Sequence, residues 1–446
     1  MFKRAAWLVF SLSTTGAAHA TAWEPRLDRE LPSLVTLYKE LHAAPELSHQ
    51  ERHTAARLAA ELRPLGYTVT ERVGKYPNPQ WVGYGVVAVL KNGKGPTVLI
   101  RADMDALPVE EKTGLPYASH VRSTDDAGLD VPVMHACGHD IHVASLIGTA
   151  RLLAALRDHW HGTLVLVGQP SEEKADGARA LLADGLYTRF PRPDAALALH
   201  DFSDLRAGTV GYISGYMLAG ANSVDVTLRG RGGHGAYPHM TKDPIVMAAE
   251  FILALQTIVS RENSPTDPAV VTVGSIHGGT KYNIIPDEVK LQLTVRTYKP
   301  EVRQRILDAI ARIANGIASM NGLPAERAPL VKVSPTEVTA PVYNDPALTE
   351  RLVTSLRRTL GAQRLVQLEP VMGGEDFGAY GLEDRRIPTL LFRVGAIDPE
   401  RMDKARSGGA ALPSLHSSEF WPAPEATIRT GVQAMTAMAL ELLGKP

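Results

Sequence analysis

The spacing of apolar positions predicts alternating helices and strands in the first part of the chain. Apolar residues recurring every three to four positions predict helices over 34–41, 54–62, 141–156 and 178–183. Short continuous apolar runs predict strands over 86–90, 97–100, 164–168 and 195–199. Such runs are typical of strands buried on both faces. This part is therefore predicted to be a layered α/β domain around a buried sheet.

The dipeptide Asn92-Gly93 lies between the first two predicted strands. It is a strong signal for a tight turn between paired antiparallel strands. The sequence therefore predicts a β-hairpin over residues 86–100.

The middle of the chain has a different pattern. Residues 223–228 alternate polar and apolar side chains, as a half-exposed strand does. The pattern then predicts, in order, a helix over 244–260, strands over 270–275 and 289–297, a helix over 301–320 and a weaker strand over 331–334. This order, β-α-β-β-α-β, is that of a ferredoxin-like unit. We expect an inserted domain at 216–337 that divides the larger domain into residues 21–215 and 338–446, with a buried strand over 389–394.

The N-terminal residues indicate where the protein is located. Lys3 and Arg4, a short apolar stretch and the small-x-small run 18–20 predict a secretory signal peptide over 1–20. We therefore expect an exported, periplasmic or secreted protein whose mature chain starts at Thr21. The apolar stretch is too short to span a bilayer, and no later window resembles a membrane span, so no membrane insertion is predicted.

The overall charge narrows the class of partner. Lys and Arg number 47 and Asp and Glu 48, a formal net charge of −1. This balance gives no electrostatic footprint for nucleic acid or anionic lipid. A small-molecule partner is therefore expected.

The single cysteine, Cys137, lies in the run Met-His-Ala-Cys-Gly-His-Asp at 134–140. It cannot form an internal disulfide, and exported proteins tend to lose or pair free thiols. The neighbouring His139 and the position before a predicted helix, which favours a thiolate, indicate a metal ligand instead.

Polar groups follow several predicted strands, where reacting groups of open α/β sheets collect. Asp103 and Asp105 follow one strand, Glu172 and Glu173 another, and His200 a third. Together with the late His416, these segments supply the predicted metal ligands Cys137, His139, Glu173, His200 and His416. Thiolate with imidazole favours zinc, while the carboxylate keeps manganese, cobalt or nickel compatible.

Neighbouring residues in a loop can point in different directions, so one of Glu172 and Glu173 could bind metal while the other holds a proton. The alternative is a solvated acidic pair near a helix N-terminus. Asp105 is predicted to be the buried partner of a ligating imidazole, whereas Asp103 is compatible with a simple strand-end cap. His135 and His142 are compatible with metal contact or with an ordinary helix start. Six further histidines have polar surroundings in the sequence and are predicted to be exposed: His42, His49, His53, His120, His159 and His161.

Several competing enzyme classes lack their motifs. Residues 230–235 satisfy G-x-G-x-x-G after a strand, but no helix opens there, so the dinucleotide-binding context is missing. The chain has no G-x-S-x-G elbow, no H-E-x-x-H and no P-loop. These absences argue against serine hydrolases, zincin proteases and P-loop enzymes.

The chain resembles the metal-dependent aminoacylase and carboxypeptidase family, in the branch of hippurate hydrolases and auxin-conjugate amidohydrolases. The matching stretches occur in family order and lie at 101–108, 135–140, 169–173, 199–200, 232–234, 283–286, 375–377 and 415–416. The resemblance implies an α/β fold: a mixed-sheet dinuclear metallohydrolase domain with an inserted ferredoxin-like α+β domain that serves as lid and dimer surface.

The resemblance also implies roles for individual residues. Cys137 would bridge two divalent metal ions, zinc or manganese, with His139 and His200 at one and Glu173 and His416 at the other. Glu172 would be the general base, and Asp105 would orient a ligand. From the inserted domain, His234 and Asn283 would reach the active site. Arg296 would grip the substrate carboxylate through its bidentate fork.

The implied reaction is hydrolysis of the amide bond of N-acyl or N-aroyl amino acids. Two alternatives stay open at this point: a dipeptidase or carboxypeptidase that needs a free α-amino group, and a metal- or ligand-binding protein without turnover. Asp201-Phe202-Ser203 after His200, and Ser417-Ser418 after His416, depart from the family pattern. The first departure leaves the substrate preference undetermined.

Overall fold

A computed structural model of the protein describes residues 23–382 and 385–444. The predicted signal peptide at 1–20 and the predicted mature terminus at Thr21 lie outside the described residues.

Ten α-helices occur in the described ranges. They are α1 Glu24–Ala43, α2 Arg52–Leu62, α3 His139–Ala155, α4 Gly177–Ala183, α5 Leu186–Arg189, α6 Pro244–Thr257, α7 Pro300–Met320, α8 Pro346–Leu360, α9 Pro399–Arg406 and α10 Pro424–Leu442. Five of them, α6 to α10, begin with proline, which fits the first helical position because its missing N–H has no intrahelical acceptor there.

The described strands are β1 Thr68–Val73, β2 Gly85–Asn92, β3 Thr97–Asp103, β4 Arg122–Thr124, β5 Asp130–Pro132, β6 Gly162–Gln169, β7 Ala195–Arg206, β8 Val210–Tyr212, β9 Gly215–Leu218, β10 Gly220–Arg229, β11 Gly233–His234, β12 Ala269–Gly278, β13 Ile284–Ile285, β14 Glu288–Thr297, β15 Leu330–Thr339, β16 Val342–Asn344, β17 Leu365–Gln367 and β18 Thr389–Ile397.

Eight strands form one mixed sheet in the order β1-β2-β6-β3-β7-β18-β8-β17. Its centre, β6-β3-β7-β18, is parallel, and the outer strands β1, β2 and β8 run antiparallel to their inner neighbours. Helices α3 and α10 pack on this sheet, and α1 packs on both of these helices. Because α3 contacts the sheet, α1 and α10, it is buried nearly all round. Its sequence therefore lacks a polar face.

The predicted hairpin between β2 and β3 is wrong. Gly93 does reverse the chain with a left-handed φ of 79°, but β6 is inserted between the two strands. The Asn92 side-chain amide donates a 2.7 Å hydrogen bond to the carbonyl of Arg157 and another to that of Trp160. The turn is thereby tied to the segment leading into β6. The edge of β2 that the turn signal assigned to β3 is therefore paired with β6, a strand that comes later in the chain.

Residues from β10 to β15 build a second, antiparallel sheet in the order β12-β14-β10-β15. This sheet and helices α6 and α7 have the β-α-β-β-α-β order that the sequence predicts. Every second residue of β14 from Val289 to Thr297 is buried, and α7 buries residues three or four positions apart, as the polar-apolar pattern requires. The two faces enclose an apolar core separate from that of the large sheet.

Within the described ranges, one helical stretch, Pro244–Glu262, is long and apolar enough to cross a membrane by length and composition. In the fold, Met247, Phe251 and Leu255 of this stretch are buried against the inserted sheet. Its apolar character is thus used in part for the core of the inserted domain.

Candidate metal and active site

The site begins on one face of the large sheet. On this face four neighbouring strands change from apolar to polar at their carboxyl ends, because side chains alternate and residues two apart share a face. The apolar residues are Val165 and Val167 on β6, Leu99 on β3, Ala198 on β7 and Leu391 on β18. The polar residues that follow them are Gln169, Arg101, His200 and Arg393. The sheet therefore delivers amide, guanidinium and imidazole groups to one edge.

The loop before α3 brings Cys137 and His139 to the same edge. Gly138 has a φ of 78°, and a Cβ at this position would lie 2.4 Å from a carboxylate oxygen of Asp201. Only glycine meets both conditions. The Cys137 side chain is buried and His139 is fully buried.

The predicted metal ligands converge. His416 Nε2 lies 3.2 Å from Cys137 Sγ and 3.6 Å from Glu173 Oε1. His200 Nε2 lies 3.5 Å from Cys137 Sγ, and His139 Nε2 lies 3.9 Å from Glu173 Oε1. Cys137 is thus adjacent to one histidine on each side. The structure brings together five residues from four separate segments of the sequence.

The donor set fits divalent cations. His139 Nδ1 donates to the backbone oxygen of Asp105 at 2.8 Å, and His200 Nδ1 donates to that of Asp201 at 2.7 Å. In its neutral form each ring then presents an unprotonated Nε2 to the cluster, the orientation that metal-binding histidines need. His139 Nε2 and Glu173 Oε1 are buried and have no hydrogen-bond partner. Buried orphan acceptors beside a thiol are what a cation would satisfy.

The loop carrying Glu172 and Glu173 is held by buried carboxylates. Ser171 has a φ of 56°, and its N–H donates to Glu51 Oε1 at 2.7 Å. The N–H of Glu173 donates to Asp105 Oδ2 at 3.0 Å, and Ser48 Oγ donates to the same oxygen at 2.7 Å. The position of Asp105 therefore links a ligating histidine to the acidic loop.

The two glutamates have raised pKa values. Burial, followed by the charges of Glu375 and Glu173, raises the pKa of Glu172 well above its ordinary range. Burial raises the pKa of Glu173 to about 7, although His139 opposes the rise. A glutamate of raised pKa beside a ligand cluster can hold and release a proton near neutral pH.

Asp103 and His142 form a layer behind the ligands. His142 Nδ1 bonds Asp103, and His142 Nε2 lies 3.1 Å from Asp201 Oδ1. Both ring nitrogens are therefore engaged with carboxylates, which makes His142 a buried partner. Burial raises the pKa of Asp103, but Arg101 and the adjacent histidines hold it well below its usual value. Asp103 is more than a strand-end cap. His135 is also buried, neither of its ring nitrogens has a partner, and burial lowers its pKa to about 4.

Sequence reasoning missed Arg101. Its fully buried guanidinium contacts Asp103, donates to Glu375 Oε1 at 2.7 Å and reaches Asp376 Oδ1 at 3.2 Å. One cation therefore joins three carboxylates on β3 and on the segment after residue 374. The signal in the sequence was an arginine placed between the apolar run at 98–100 and Asp103.

The three substrate-binding residues predicted from the inserted domain differ in their contacts. Arg296 Nη1 reaches the carbonyl of Met372 at 3.4 Å, beside the segment that pairs with Arg101. Asn283 Oδ1 is buried without a partner, and His234 is exposed with Nδ1 accepting from the N–H of Ala236. In the described part of the chain, no hydrogen bond or ion pair joins His234 or Asn283 to the ligand cluster.

Two histidines predicted to be exposed are buried. His42 Nδ1 lies 2.7 Å from Asp140 Oδ2, and Nε2 lies 3.1 Å from Glu111 Oε1. His49 stacks on Trp81 with ring centroids 3.9 Å apart. Their polar neighbours in the sequence misled the prediction, because their partners are distant in the chain.

A cavity of about 930 Å³ opens between the inserted sheet and the large domain. Arg179, Arg303, Tyr343 and Asp376 are among its lining residues, and none of the five predicted metal ligands lines it. The ligand cluster and this cavity are separate features.

The chain is similar in sequence to a known family and to individual proteins. The family described as peptidase family M20/M25/M40 matches residues 99–440. The N-acetylcysteine deacetylase of Bacillus subtilis (strain 168) is 38% identical over 363 residues, which cover 81% of this chain and 88% of that protein. The hippurate hydrolase of Campylobacter jejuni is 36% identical over 346 residues, 76% of this chain and 83% of its own length.

A solved structure agrees with the fold. The YXEP protein of Bacillus subtilis, described as a dinuclear metal-binding peptidase from the M20 family, matches with a TM-score of 0.74 and 30% identity. The match covers 93% of this chain and 99% of that one. The mixed α/β architecture and a site for two metal ions are thus shared with a relative of known structure.

Proposed function

The chain belongs to peptidase family M20/M25/M40, and we propose that it is a hydrolase of the amide bond in N-acyl or N-aroyl amino acids. The observation that carries this proposal is Glu172, half-buried with a raised pKa beside the convergent Cys137, His139, Glu173, His200 and His416. The relatives named for N-acetylcysteine and hippurate support the same substrate class. The products would be a carboxylic acid and an amino acid.

Two divalent cations held by those five residues would polarise the amide carbonyl and favour ionisation of an attacking water. Glu172 accepts the proton of that water, because it lies beside the ligand cluster and its raised pKa strengthens it as a base. It then passes the proton to the leaving amine. Asp105 fixes the orientation of His139 and the loop of Glu173. Thiolate and imidazole favour zinc, and manganese is the second choice.

Glu172→Gln tests the mechanism directly. We expect the variant to keep its metal and to lose about 10²–10⁴ in kcat, because the amide cannot take the proton. Metal content by elemental analysis and hydrolysis of N-acetyl amino acids are the two measurements. The exposed Glu110→Gln serves as the matched control and should keep full activity. Unchanged turnover in Glu172→Gln would exclude this base.

A panel of substrates separates the proposal from the peptidase alternative. We expect turnover of N-acetyl and N-benzoyl amino acids and little turnover of free dipeptides. Activity on free dipeptides alone would favour the dipeptidase. Tight metal binding without hydrolysis of any member would favour a binding protein.

We also propose that the inserted domain pairs two copies of the chain. Helix α6 exposes Val246 and Leu253, and β12 is an edge strand of its sheet. Light scattering of wild type and Leu253→Glu tests this, and a monomeric wild type would exclude it.

Export is a further proposal, and it rests on the residues at 1–20. Expression of the full chain in a Gram-negative host should give a periplasmic protein starting at Thr21. N-terminal sequencing of the product measures this, and an intact Met1 in the cytoplasm would contradict it.

A further inference from the structure

Arg393 lies beside the ligand cluster and has no role in the mechanism above. In the parallel pairing of β18 with β7, Arg393 is opposite His200, and Phe202 is two residues further along β7. Residues two apart in a strand share a face, so His200 and Phe202 point to the side on which Arg393 lies. The face in question is the one whose carboxyl edge holds the metal ligands.

The Arg393 guanidinium has no anionic partner. The residue is only 6% exposed, and its guanidinium carbon lies 4.9 Å from the centroid of the Phe202 ring. Across residues 23–382 and 385–444, no hydrogen bond or ion pair holds it, yet its nitrogens are not among the fully enclosed polar atoms. They therefore keep a small solvent-accessible area.

The nearby acids are occupied elsewhere. Glu375 is bonded to Arg101, and Asp201 lies against His142 and His200. Cys137 and Glu172 also act on Arg393 through their charges. Cys137 faces the predicted ligands His200 and His416, and Glu172, as the proton carrier, must cycle between charged and neutral forms. A guanidinium taken out of water without an acceptor is costly, so a fold retains one where a ligand completes it.

We propose that Arg393, backed by Phe202, binds a carboxylate of the substrate next to the metal centre. The carboxylate belongs either to the amino acid or to a second acid group on the acyl part. The planar guanidinium offers two parallel N–H donors, and the aromatic ring fixes its plane. This subsite rests on the proposed amidohydrolase function and adds a preference for anionic over neutral substrates.

Three substrates and Arg393→Met test the subsite. N-acetyl-L-alanine carries only the α-carboxylate, N-succinyl-L-alaninamide only the acyl-side carboxylate, and N-acetyl-L-alaninamide neither. We expect kcat/KM to fall about 10- to 100-fold, mainly through KM, for the substrate whose carboxylate fills the subsite. The fall for N-acetyl-L-alaninamide should stay below about threefold. The identity of the affected substrate assigns the source of the carboxylate.

One control variant separates the positive charge of Arg393 from its bidentate geometry, and a second tests the loss of an arginine elsewhere in the fold. Arg393→Lys keeps the charge but loses the bidentate geometry, so it should recover only part of the loss. Arg364→Met removes a half-buried arginine at the far edge of the same sheet and should leave the ratios unchanged. Equal losses on all three substrates, or no loss on any, would overturn the proposal.

A binding measurement keeps the test independent of turnover. Succinate titrated into metal-loaded wild type should bind at least tenfold more tightly than into Arg393→Met, whereas succinamide should bind both equally. If wild type hydrolyses none of the amides, the function proposed above fails while this titration still decides the subsite. Equal succinate affinities would overturn it.

Discussion

Arg101 and Arg393 lie on the same face of the same sheet, two strands apart, and both are almost fully buried. Arg101 is enclosed by Asp103, Glu375 and Asp376, whereas Arg393 has only the ring of Phe202. The two arginines are thus similarly buried, but only Arg101 is paired with carboxylates. The difference teaches that the partners of a buried charge, more than its depth, indicate whether it holds the fold or awaits a ligand.

The largest effect should come from removing the paired arginine. Arg101→Met leaves three carboxylates without their cation in the interior, and breaking a buried pair in this way costs about 3–5 kcal/mol. Urea unfolding measures the free energy of unfolding. The exposed Arg122→Met, which breaks a surface pair with Asp130, should cost less than about 1 kcal/mol. A small loss of unfolding free energy in Arg101→Met would show that the paired arginine does not hold the fold.

His42 is a buried cation that, unlike the two arginines, loses its charge as the pH rises. Burial lowers its pKa, but hydrogen bonds to Asp140 and Glu111 raise it overall to about 9. A pKa raised on folding stabilises the protein fully below the unfolded value of about 6.5, and this stabilisation is lost as pH rises through about 9. We expect wild type to lose on the order of 3 kcal/mol over that range relative to His42→Gln. Equal pH slopes of unfolding free energy in both proteins would contradict the prediction.

Glu51 is the acidic counterpart of Arg393, and burial raises its pKa well above the ordinary range. It is fully buried, and one of its oxygens accepts N–H bonds from His49 and Ser171 while the other has no partner. Glu51→Gln keeps an acceptor and should stay within about 1 kcal/mol of wild type, whereas Glu51→Met should lose about 1–3 kcal/mol. Because Ser171 precedes Glu172, kcat should fall in the Met variant alone. Chemical unfolding and steady-state kinetics measure the two effects, and an equally stable Met variant would show that the bonds are dispensable.

The smallest effect should come from the unpaired arginine. Arg393→Met removes no ion pair and no hydrogen bond, and its side chain can still pack on Phe202. We expect the free energy of unfolding to change by less than about 1 kcal/mol, or to rise. The same urea titration as for Arg101→Met measures it. A loss of several kcal/mol would show that Arg393 stabilises the fold, and the contrast with Arg101 would disappear.

The sequence predicted the main elements because their patterns are local. The periodicity of α7 and the alternation in β14 follow directly from neighbouring residues. The pairing of β2 with β6 could not be predicted in this way, because it depends on a strand some 70 residues further along the chain. The Asn92-Gly93 turn gave a valid local signal that the long-range pairing overrode.

The candidate site shows the same division. Cys137, His139 and Glu173 stand out by residue type and spacing, and the structure places them together. Arg101, Arg393 and Glu51 do not stand out, since a charged residue within an apolar strand or at a helix start has no meaning until its partners are known. Burial and pairing are properties of the assembled fold.

The position of Cys137 has a practical consequence. It is the only thiol in the chain, and it lies between His200 and His416. Any thiol-directed label therefore reacts at one atom or not at all, without background from other positions. Burial, followed by the charges of Glu173 and Glu172, raises the pKa of this thiol, so labelling should need a raised pH. Because a bound cation would occupy the sulfur, protection of Cys137 from the label should report metal loading.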